Sequence, residues 1–520
     1  MAPLLELRGI TKRFPGVLAN DHIDLTLEKG EIHALLGENG AGKTTLMNIL
    51  YGLYSQDEGD IFVNGNRVTI QEPTDAINVG IGMVHQHFML IPVFTVTENI
   101  MLGEEYVKFG GLLDRKKAAD KIRKISDTYQ LNVDPNAYVR DLPVGTQQRV
   151  EIIKILFRDA EILIMDEPSA VLTPQEVDEL FKIMHMLVEQ GKSIIFITHK
   201  LREVMECADR ITVIRGGKVI GTTTPKESTT KKLATMMVGR EVELKVKKTK
   251  AKPKDIVLKV ENLRVINSQD QFAVDGVTFN VRAGEVLGIA GVQGNGQTEL
   301  VRALTGLLAP TEGKIEILGH DTTKQKPRYI TELGSAHIPE DRQKDGLILA
   351  FPVSENLVMN TYFHEPFSKG INLQFDEIEK NGNTLVDKFD IRTPNVKTAV
   401  STLSGGNQQK VIVAREFSRP IKLLIASQPT RGLDVGSIEY IHHRLMEKRE
   451  EGCAILLVST ELDEVMQLSD RIAVMFRGKI LDVLDAENAS KEILGLLMAG
   501  ITPSSEMRSK VKKEEQIILT

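Results

Sequence analysis

The amino-acid sequence predicts an α/β fold in two tandem domains, each a mostly parallel β-sheet flanked by helices and carrying an inserted helical subdomain. Two observations predict this class: long sequence blocks recur in the same order, and β-branched apolar runs alternate with helical patterns. Strands that alternate with helices favour parallel sheets covered on both faces. A chain of 520 residues also exceeds what one compact core can hold.

Four pairs of blocks indicate an internal duplication. LEKGEIHALLGENGAGKTTL at 27–46 matches VRAGEVLGIAGVQGNGQTEL at 281–300, an offset of 254 residues. Three further pairs match at an offset of 261: LPVGTQQRVEIIKIL with LSGGNQQKVIVAREF, AEILIMDEPSAVLT with IKLLIASQPTRGLD, and IIFITHKLREVMECADRITVI with ILLVSTELDEVMQLSDRIAVM. A repeat this long is a folded domain rather than a solenoid unit. We expect a first domain at 1–240, a basic linker at 241–254, a second domain at 255–502 and a polar tail at 503–520.

Individual elements follow from hydrophobic spacing. IHALL, ILIMD and SIIFIT are short apolar runs typical of buried strands, and the N-terminal MAPLLELRGITKRF is expected to form the first strand. TTLMNILYGL and PQEVDELFKIMHMLVEQG have helical spacing, the second with Pro174 near its start and Gly191 just past its end. Residues 90–140 favour the inserted helices. The lysine-rich EVELKVKKTKAKPK is interpreted as a solvated linker, with a lipid or nucleic-acid patch as the alternative.

Composition narrows the function classes. The chain is 42% hydrophobic and 26% charged with a formal net charge of −6, which argues against a dedicated nucleic-acid binder. No apolar segment approaches the roughly 18–20 residues that span a bilayer, and ILGLLMAGI at 493–501 is expected to be a buried terminal helix. The N-terminus lacks the layout of a secretory signal. Cys207 and Cys453 stand alone, as reduced packing cysteines do.

The first half contains a nucleotide-binding motif. GENGAGKT at 37–44 satisfies GxxxxGK[ST] between a predicted strand and a predicted helix, where backbone N–H groups and a helix N-terminus attract phosphate. Lys43 is predicted to reach the β- and γ-phosphates, and Thr44 to place its hydroxyl on Mg²⁺. The alternative is an ordinary glycine-rich turn. The expected ATP-binding residues of this loop are Gly37, Glu38, Asn39, Gly40, Ala41, Gly42, Lys43, Thr44 and Thr45.

Two adjacent acids end the ILIMD strand. Asp166 and Glu167 would be costly there unless they faced a cation or water. Asp166 suits the Mg²⁺ shell, and Glu167 suits polarising the attacking water, because phosphoryl transfer needs positioning and charge stabilisation. His199 ends another apolar strand and is predicted to contact the γ-phosphate; the alternative is a satisfied polar residue.

These motifs, with Gln86 in MVHQ and LSGGNQQK at 403–410, resemble ATP-binding-cassette (ABC) ATPases over nearly the whole chain. The resemblance implies that Gln86 contacts Mg²⁺ or water and communicates with a membrane partner. It implies that Phe14 in KRFPG stacks on adenine, with an ordinary strand-edge aromatic as the alternative. It also implies a signature acting on ATP held by the opposite domain, formed by Ser404, Gly405 and Gly406, with Asp434 as the aspartate of the following loop.

The two halves depart from this family pattern in complementary ways. In the second half, Gln297, Ser427, Gln428, Thr460 and Glu340 stand in register with Lys43, Asp166, Glu167, His199 and Gln86. In the first half, Pro143, Val144 and Thr173 replace Ser404, Gly405 and Asp434. The resemblance therefore implies one competent composite site per chain. The second site is degenerate and its nucleotide binding stays open; it comprises Gly291, Gly294, Gly296, Gln297, Thr298, Ser427, Gln428 and Thr460.

A chain with two cassettes and no membrane segment resembles the ATPases of bacterial carbohydrate-type importers. LPVGTQQR resembles the nucleoside and simple-sugar branch, with purine nucleosides favoured. The implied partners are two membrane permease subunits and, indirectly, a solute-binding lipoprotein, with no nucleic acid. The chain itself is expected to be peripheral, at the cytoplasmic face of the cell membrane. The alternative is a soluble tandem-cassette ATPase on ribosomes, disfavoured by the lost site and the short linker. A tandem-cassette DNA-repair ATPase would need zinc-binding cysteine clusters, and the two isolated cysteines exclude that version.

Overall fold

The duplicated halves fold as separate compact units. The structure is a computed structural model that describes residues 3–85, 88–108, 111–169, 172, 174–243, 246 and 248–503. The chain divides into Met1–Val242 and Glu243–Thr520. Among the described residues, no helix is long and apolar enough to cross a membrane.

The first unit contains two sheets and a helical insertion. Its strands are β1 (Leu5–Phe14), β2 (Val17–Leu27), β3 (Ile32–Leu36), β4 (Glu58–Val63), β5 (Asn66–Val68), β6 (Ile81–Val84), β7 (Ile162–Asp166), β8 (Ser193–Thr198), β9 (Arg210–Arg215) and β10 (Lys218–Thr223). Its helices are α1 (Lys43–Leu50), α2 (Pro73–Asn78), α3 (Val96–Met101), α4 (Arg115–Thr128), α5 (Val144–Phe157), α6 (Pro174–Glu189), α7 (Leu201–Cys207) and α8 (Thr230–Val238).

The central sheet of the first unit has the order β10-β9-β3-β8-β7-β6 and is parallel except at the β9–β10 hairpin. The unit also contains a separate antiparallel sheet with the strand order β2-β1-β4-β5. The strands predicted from IHALL, ILIMD and SIIFIT are β3, β7 and β8, and every residue in them is buried. The helices expected near residues 90–140 are α3 and α4, which contact α5. The predicted fold class is confirmed.

The second unit repeats this order. Its strands are β11 (Ile256–Ile266), β12 (Phe272–Arg282), β13 (Val286–Ala290), β14 (Glu312–Ile317), β15 (His320–Asp321), β16 (Ser335–Ile338), β17 (Ser368–Lys369), β18 (Asn372–Leu373), β19 (Leu423–Ser427), β20 (Ala454–Ser459), β21 (Arg471–Phe476) and β22 (Lys479–Asp485). Its helices are α9 (Gln297–Leu304), α10 (Pro327–Glu332), α11 (Val353–Leu357), α12 (Phe375–Lys388), α13 (Gly405–Phe417), α14 (Val435–Glu450), α15 (Leu462–Leu468) and α16 (Lys491–Met498). The central sheet has the order β16-β19-β20-β13-β21-β22.

The described part of the expected linker contacts the second unit. Val246 is buried in its hydrophobic core, and Lys248 Nζ donates to the Ser469 carbonyl at 2.5 Å. Arg449 Nη2 donates to the Thr249 carbonyl at 2.9 Å. These contacts stabilise the segment on the second unit because its backbone carbonyls and apolar side chains find partners there.

Candidate functional site

The phosphate loop, residues 37–45, connects β3 to α1 in the first unit. Gly40 and Gly42 have φ values of 80° and 102°, which glycine adopts without strain. A Cβ on Gly37 would lie 2.4 Å from the Ile214 carbonyl oxygen, and one on Gly42 would lie 2.3 Å from the Ala19 carbonyl oxygen. Glycine is therefore required at both places. Because Gly42 is also the N-cap of α1, no side chain caps the first N–H groups of that helix, and they remain suited to an anion.

Lys43 begins α1 and is 5% exposed. Its Nζ donates to the carbonyl oxygens of Gly37 at 2.7 Å and Glu38 at 2.9 Å, so the ammonium lies across its own loop. Burial lowers the pKa of Lys43, although the carboxylates of Glu167, Asp166 and Glu38 act to raise it.

The two acids at the end of β7 have opposite pKa shifts. Burial raises the pKa of Asp166 to about 6, and the neighbouring Glu167 charge adds to the effect, while Lys43 and a hydrogen bond from Thr44 oppose it. For Glu167 burial also favours the neutral form, but the hydrogen bond and charge of His199, helped by Lys43 and Lys200, outweigh burial and leave its pKa below the usual value. Glu167 is the carboxylate better suited to be ionised without a bound cation.

Glu167 and His199 form a contact across β7 and β8. His199 Nδ1 lies 2.8 Å from Glu167 Oε1. Glu167 has a φ of 45°, and its N–H donates to the Ile197 carbonyl at 2.9 Å. The positive φ turns the side chain out of the strand direction, a cost that non-glycine residues accept at functional sites. The structure thus brings together Lys43, Thr44, Asp166, Glu167 and His199.

Of the remaining predicted residues of the first unit, Phe14 is on β1, and the others that the structure describes are in the phosphate loop. Phe14 ends β1 with 36% of its surface exposed and packs edge-on against Tyr54, with the ring centroids 5.5 Å apart. Lys12 Nζ lies 5.7 Å from the Phe14 ring centroid. Asn39 is exposed, Glu38 and Thr45 are half-buried, and Ala41 is buried. Gln86 and Thr173 lie outside the described residues.

The residues at this end of the sheet fit ATP with a hard cation. The glycines leave room for phosphate beside the helix N–H groups that no side chain caps. The Thr44 hydroxyl and the Asp166 carboxylate, which are hydrogen-bonded to each other, supply oxygen ligands for a cation. Mg²⁺ takes one or two carboxylates together with substrate phosphates rather than an all-protein cage. Accordingly, the described residues contain no cluster of three or more His, Cys, Asp or Glu side chains able to hold a metal alone.

In the second unit, the residues in register with Lys43 and Thr44 are bonded to β13 and to the segment after β16. Gly294 and Gly296 have φ values of 89° and 97°, and Gln297 is 6% exposed with Nε2 donating to the Ile289 carbonyl at 3.4 Å. Thr298 Oγ1 donates to Glu340 Oε2 at 2.9 Å. The glycine framework is retained without the lysine ammonium. The hydroxyl of Thr298, in register with Thr44, donates its hydrogen to the Glu340 carboxylate.

At the strand end of the second unit, neutral groups replace the acids. Ser427 is buried, and Gln428 has a φ of 48°. The N–H and the hydroxyl of Thr460 both donate to Gln428 Oε1 at 3.2 Å. The geometry of the first unit is kept with hydrogen bonds in place of charges. Gly291, at the start of this loop, has the Met475 carbonyl oxygen 2.7 Å from the position of a Cβ.

The signature residues Ser404, Gly405 and Gly406 open α13. Ser404 is the N-cap and its Oγ accepts hydrogen bonds from the Asn407 backbone N–H at 3.5 Å and from Nδ2 at 3.0 Å. Asp434 caps α14 through the Ser437 N–H at 2.7 Å. In the first unit the N-cap of α5 is Pro143, which offers no hydroxyl, and Val144 follows with 41% of its surface exposed.

Two residues beside these sites were assigned no role from the sequence. Arg431 Nη1 pairs with Glu340 Oε1 at 2.9 Å, and Arg342 lies against Gly405. Arg431 lies in the repeated block IKLLIASQPTRGLD, in register with Ala170, and this difference between the two halves was a signal in the sequence. Arg342 lies outside the repeated blocks.

Comparison with known proteins agrees with this geometry. The ABC transporter family matches residues 20–170 and 274–431. The nucleoside import ATP-binding protein NupA of Lactococcus lactis is 52% identical over 96% of this chain and 98% of its own length. The guanosine import ATP-binding protein NupO of Bacillus subtilis is 51% identical, covering 96% and 98%. The glucose import ATP-binding protein TsgD13 of Haloferax volcanii is 45% identical, covering 96% of each.

Proposed function

This chain belongs to the ABC transporter family and is an ATPase, and from that premise we propose that it is the energy-coupling subunit of an importer for nucleosides, purine nucleosides above all. The proposal is carried by the identity of 52% and 51%, over 96% of the chain, to relatives named for nucleoside and guanosine import. A relative named for glucose import is 45% identical, so simple sugars are the alternative solutes.

The proposed partners are membrane permease subunits, two per chain, and a solute-binding lipoprotein that acts through them. This places the chain at the cytoplasmic face of the cell membrane as a peripheral protein. We also propose the division into cassettes at 1–240 and 255–502, with a linker at 241–254 and a tail at 503–520.

ATP hydrolysis is proposed to occur at one composite site, built from the phosphate loop of the first cassette and the signature of the second. Lys43 would bind the β- and γ-phosphates, and the N–H groups of the loop would hold their remaining oxygens. Ser404, Gly405 and Gly406 would bind the γ-phosphate from the other side, with Asp434 beside them. Both cassettes would then contact one nucleotide.

Glu167 is proposed to orient and polarise the attacking water. Its lowered pKa supports this role because an ionised carboxylate accepts hydrogen bonds from water. His199, 2.8 Å from Glu167 Oε1, would hold that carboxylate and contact the γ-phosphate. Thr44, Asp166 and Gln86 would hold Mg²⁺, which supplies positive charge to the phosphate oxygens when bound.

The second composite arrangement, with Gln297, Ser427, Gln428 and Thr460 facing Pro143 and Val144, is proposed not to hydrolyse ATP. It has no ammonium for the γ-phosphate, no acid for the metal and no carboxylate for the water. One hydrolytic event per closure would then separate the cassettes, since ATP favours the closed state only while its γ-phosphate bridges them.

The experiment is ATPase activity of the chain assembled with its permeases and binding protein in lipid, measured with adenosine, guanosine, ribose or glucose present. We expect purine nucleosides to stimulate hydrolysis at least about fivefold, since a solute that favours the closed state accelerates turnover. Stimulation by ribose or glucose alone would contradict the nucleoside assignment. Activity that no solute changes would contradict the importer assignment.

A further inference from the structure

The segment between β16 and α11 lies against the signature helix α13 within the second unit. It contains a π turn, Arg342–Gly346, whose N-cap Asp341 accepts hydrogen bonds from the N–H groups of Gln343 and Lys344 at 3.0 Å each. Gln343 Nε2 donates to Gln408 Oε1 of α13 at 3.1 Å. The turn is therefore fixed to the helix that the signature begins.

Within this turn the guanidinium of Arg342 lies against both the loop after β19 and the first residue of α13. Nη1 donates to the Arg431 carbonyl at 2.8 Å, in the loop after β19. Nη2 lies 2.7 Å from the point where a Cβ on Gly405 would stand. Gly405 thus leaves the space that the guanidinium fills, and one side chain joins the signature to the loop that leads to Asp434.

The bonding of Arg342 is unusual for a partly buried arginine. Its Nε is buried with no acceptor among the described residues, and no described carboxylate forms an ion pair with it. Burial lowers the pKa of Arg342, although Asp341 acts to raise it. A guanidinium held without a carboxylate costs free energy, so its position calls for a role.

The other residue that Arg342 contacts is itself held in place. Arg431 Nη1 pairs with Glu340 Oε1, and Glu340 Oε2 accepts from the Thr298 hydroxyl, each at 2.9 Å. Thr298 belongs to α9, which starts at the degenerate phosphate loop. The side chain of Arg431, whose carbonyl Arg342 binds, is therefore connected through Glu340 to α9.

The sequence of the first unit contains neither half of this arrangement, because 85–95 has no arginine and Val144 replaces Gly405. Its segment at 85–95 is three residues shorter than the counterpart at 339–352. Val144 stands in register with Gly405, and its Cβ would occupy the space of the guanidinium. The arginine contact accompanies the intact signature and is missing where the signature is lost.

We propose that Arg342 is a positioning residue for the signature. It would hold Gly405 and the loop before Asp434 in one arrangement and keep a positive charge beside the N-terminus of α13. This inference rests on the composite site proposed above. The second cassette would then act on ATP hydrolysis with a residue of its own, beyond the signature motif.

The test compares Arg342→Gln and Arg342→Lys with Lys344→Gln, a charge-removing change at an exposed position of the same turn. We measure kcat, the KM for ATP and the thermal unfolding midpoint of the full chain. Arg342→Gln should lower kcat at least about tenfold, because misplaced contacts to the reacting phosphate reduce rates strongly. KM should change less than about threefold, since Lys43 and the rest of the phosphate loop are intact. Arg342→Lys should recover part of kcat, because an ammonium keeps the charge and can donate to Arg431.

Lys344→Gln should behave as the unaltered chain. A kcat for Arg342→Gln within twofold of that of the unaltered chain would overturn the proposal. Equal losses in both Arg342 variants, matched by a lower unfolding midpoint than Lys344→Gln, would also overturn it, because they would indicate support of α13 alone. Glu167→Gln, run in parallel, separates the two proposals: if it stays active, the composite site is wrong whatever Arg342 does.

Discussion

The loop before α1 and the loop before α9 have nearly the same backbone and different side-chain chemistry. The N-cap glycines, Gly42 and Gly296, have φ and ψ of 102° and 2° in the first unit and 97° and 4° in the second. Lys43 at the first is an ammonium bonded to two loop carbonyls, whereas Gln297 at the second is an amide bonded to Ile289. A phosphate-binding backbone can thus persist after its charge is gone.

The residues that follow β7 and β19 also share a backbone conformation and differ in side-chain charge. Glu167 and Gln428 have φ values of 45° and 48°, and both donate their N–H to the neighbouring strand, at 2.9 Å and 2.7 Å. Each contacts the residue that follows the next strand, His199 or Thr460. Neutral side chains of similar shape preserve the fold, so the geometry belongs to the architecture and the chemistry to individual residues.

Exchanging the strand-end residues Glu167 and Gln428 tests the difference between the two units most directly. Glu167→Gln should lower kcat about 100-fold or more, because an amide cannot carry the charge that polarises water. Gln428→Glu, the reverse exchange, should leave kcat within about threefold, since Ser427, Thr460 and Gln297 are unchanged. Steady-state ATPase rates of the purified chain decide this. A large loss in Gln428→Glu with none in Glu167→Gln would assign hydrolysis to the other cassette.

Exchanging the loop residues tests the same difference at the phosphates. Lys43→Gln should lower kcat/KM for ATP about 100-fold, through the loss of the one ammonium in this loop. Gln297→Lys should change it by no more than about twofold, because a restored ammonium replaces neither the metal acid nor the water-polarising carboxylate. The measurement is kcat/KM with Mg²⁺-ATP. A severalfold gain in Gln297→Lys would mean that the second site lacked only its lysine.

A smaller effect is expected at the aromatic position. Phe14→Ala should raise the KM for ATP about tenfold and leave kcat within twofold, because base stacking contributes roughly 1–3 kcal/mol to binding. Phe272→Ala is the matched control, since Phe272 is an exposed hairpin aromatic of the second unit. Equal KM values for both variants would indicate that Phe14 is an ordinary strand-edge aromatic and does not stack on adenine.

The smallest expected effect concerns one histidine in each unit, the buried His33 and the half-buried His337. Burial, aided by Arg210, lowers the pKa of His33 to about 3, against the Thr26 carbonyl that acts to raise it. Burial lowers the pKa of His337 to about 4, with Arg415 adding to the shift and Glu416 and Asp345 opposing it. Both rings are neutral in the fold, so the unfolded chain takes up the protons first. The free energy of unfolding should fall as pH drops from about 6.5 towards these values, by up to about 1.4 kcal/mol per pH unit for each ring.

His33→Leu and His337→Met introduce the residues that stand in register in the other unit, Leu287 and Met83. Each should flatten the pH dependence of unfolding between pH 6.5 and 4, with the larger change for His33→Leu. Urea unfolding at several pH values measures the slopes. Slopes identical to that of the unaltered chain would show that these rings titrate as in the unfolded state.

Much of this architecture could be predicted from the sequence. The duplication placed each motif in register with its counterpart, and the short, mostly apolar runs predicted the bounds of β3, β7 and β8 to the residue. Glycine spacing and the lysine at 43 predicted the phosphate loop, because few other backbones need those residues in that order. Local pattern was sufficient wherever the physical requirement was local.

The tertiary structure decided what depends on neighbours distant in the chain. The sequence shows Asp166 and Glu167 side by side and does not give their protonation states, whereas burial and the approach of His199 separate their pKa values. Composition predicted a solvated linker, yet Lys248 meets a carbonyl more than 200 residues away. The contacts of Thr298 with Glu340 and of Arg342 with Gly405 likewise join segments that no periodicity relates. Motifs are set by local backbone requirements, whereas charge states and anchoring contacts are set by which groups the fold brings within a few ångströms.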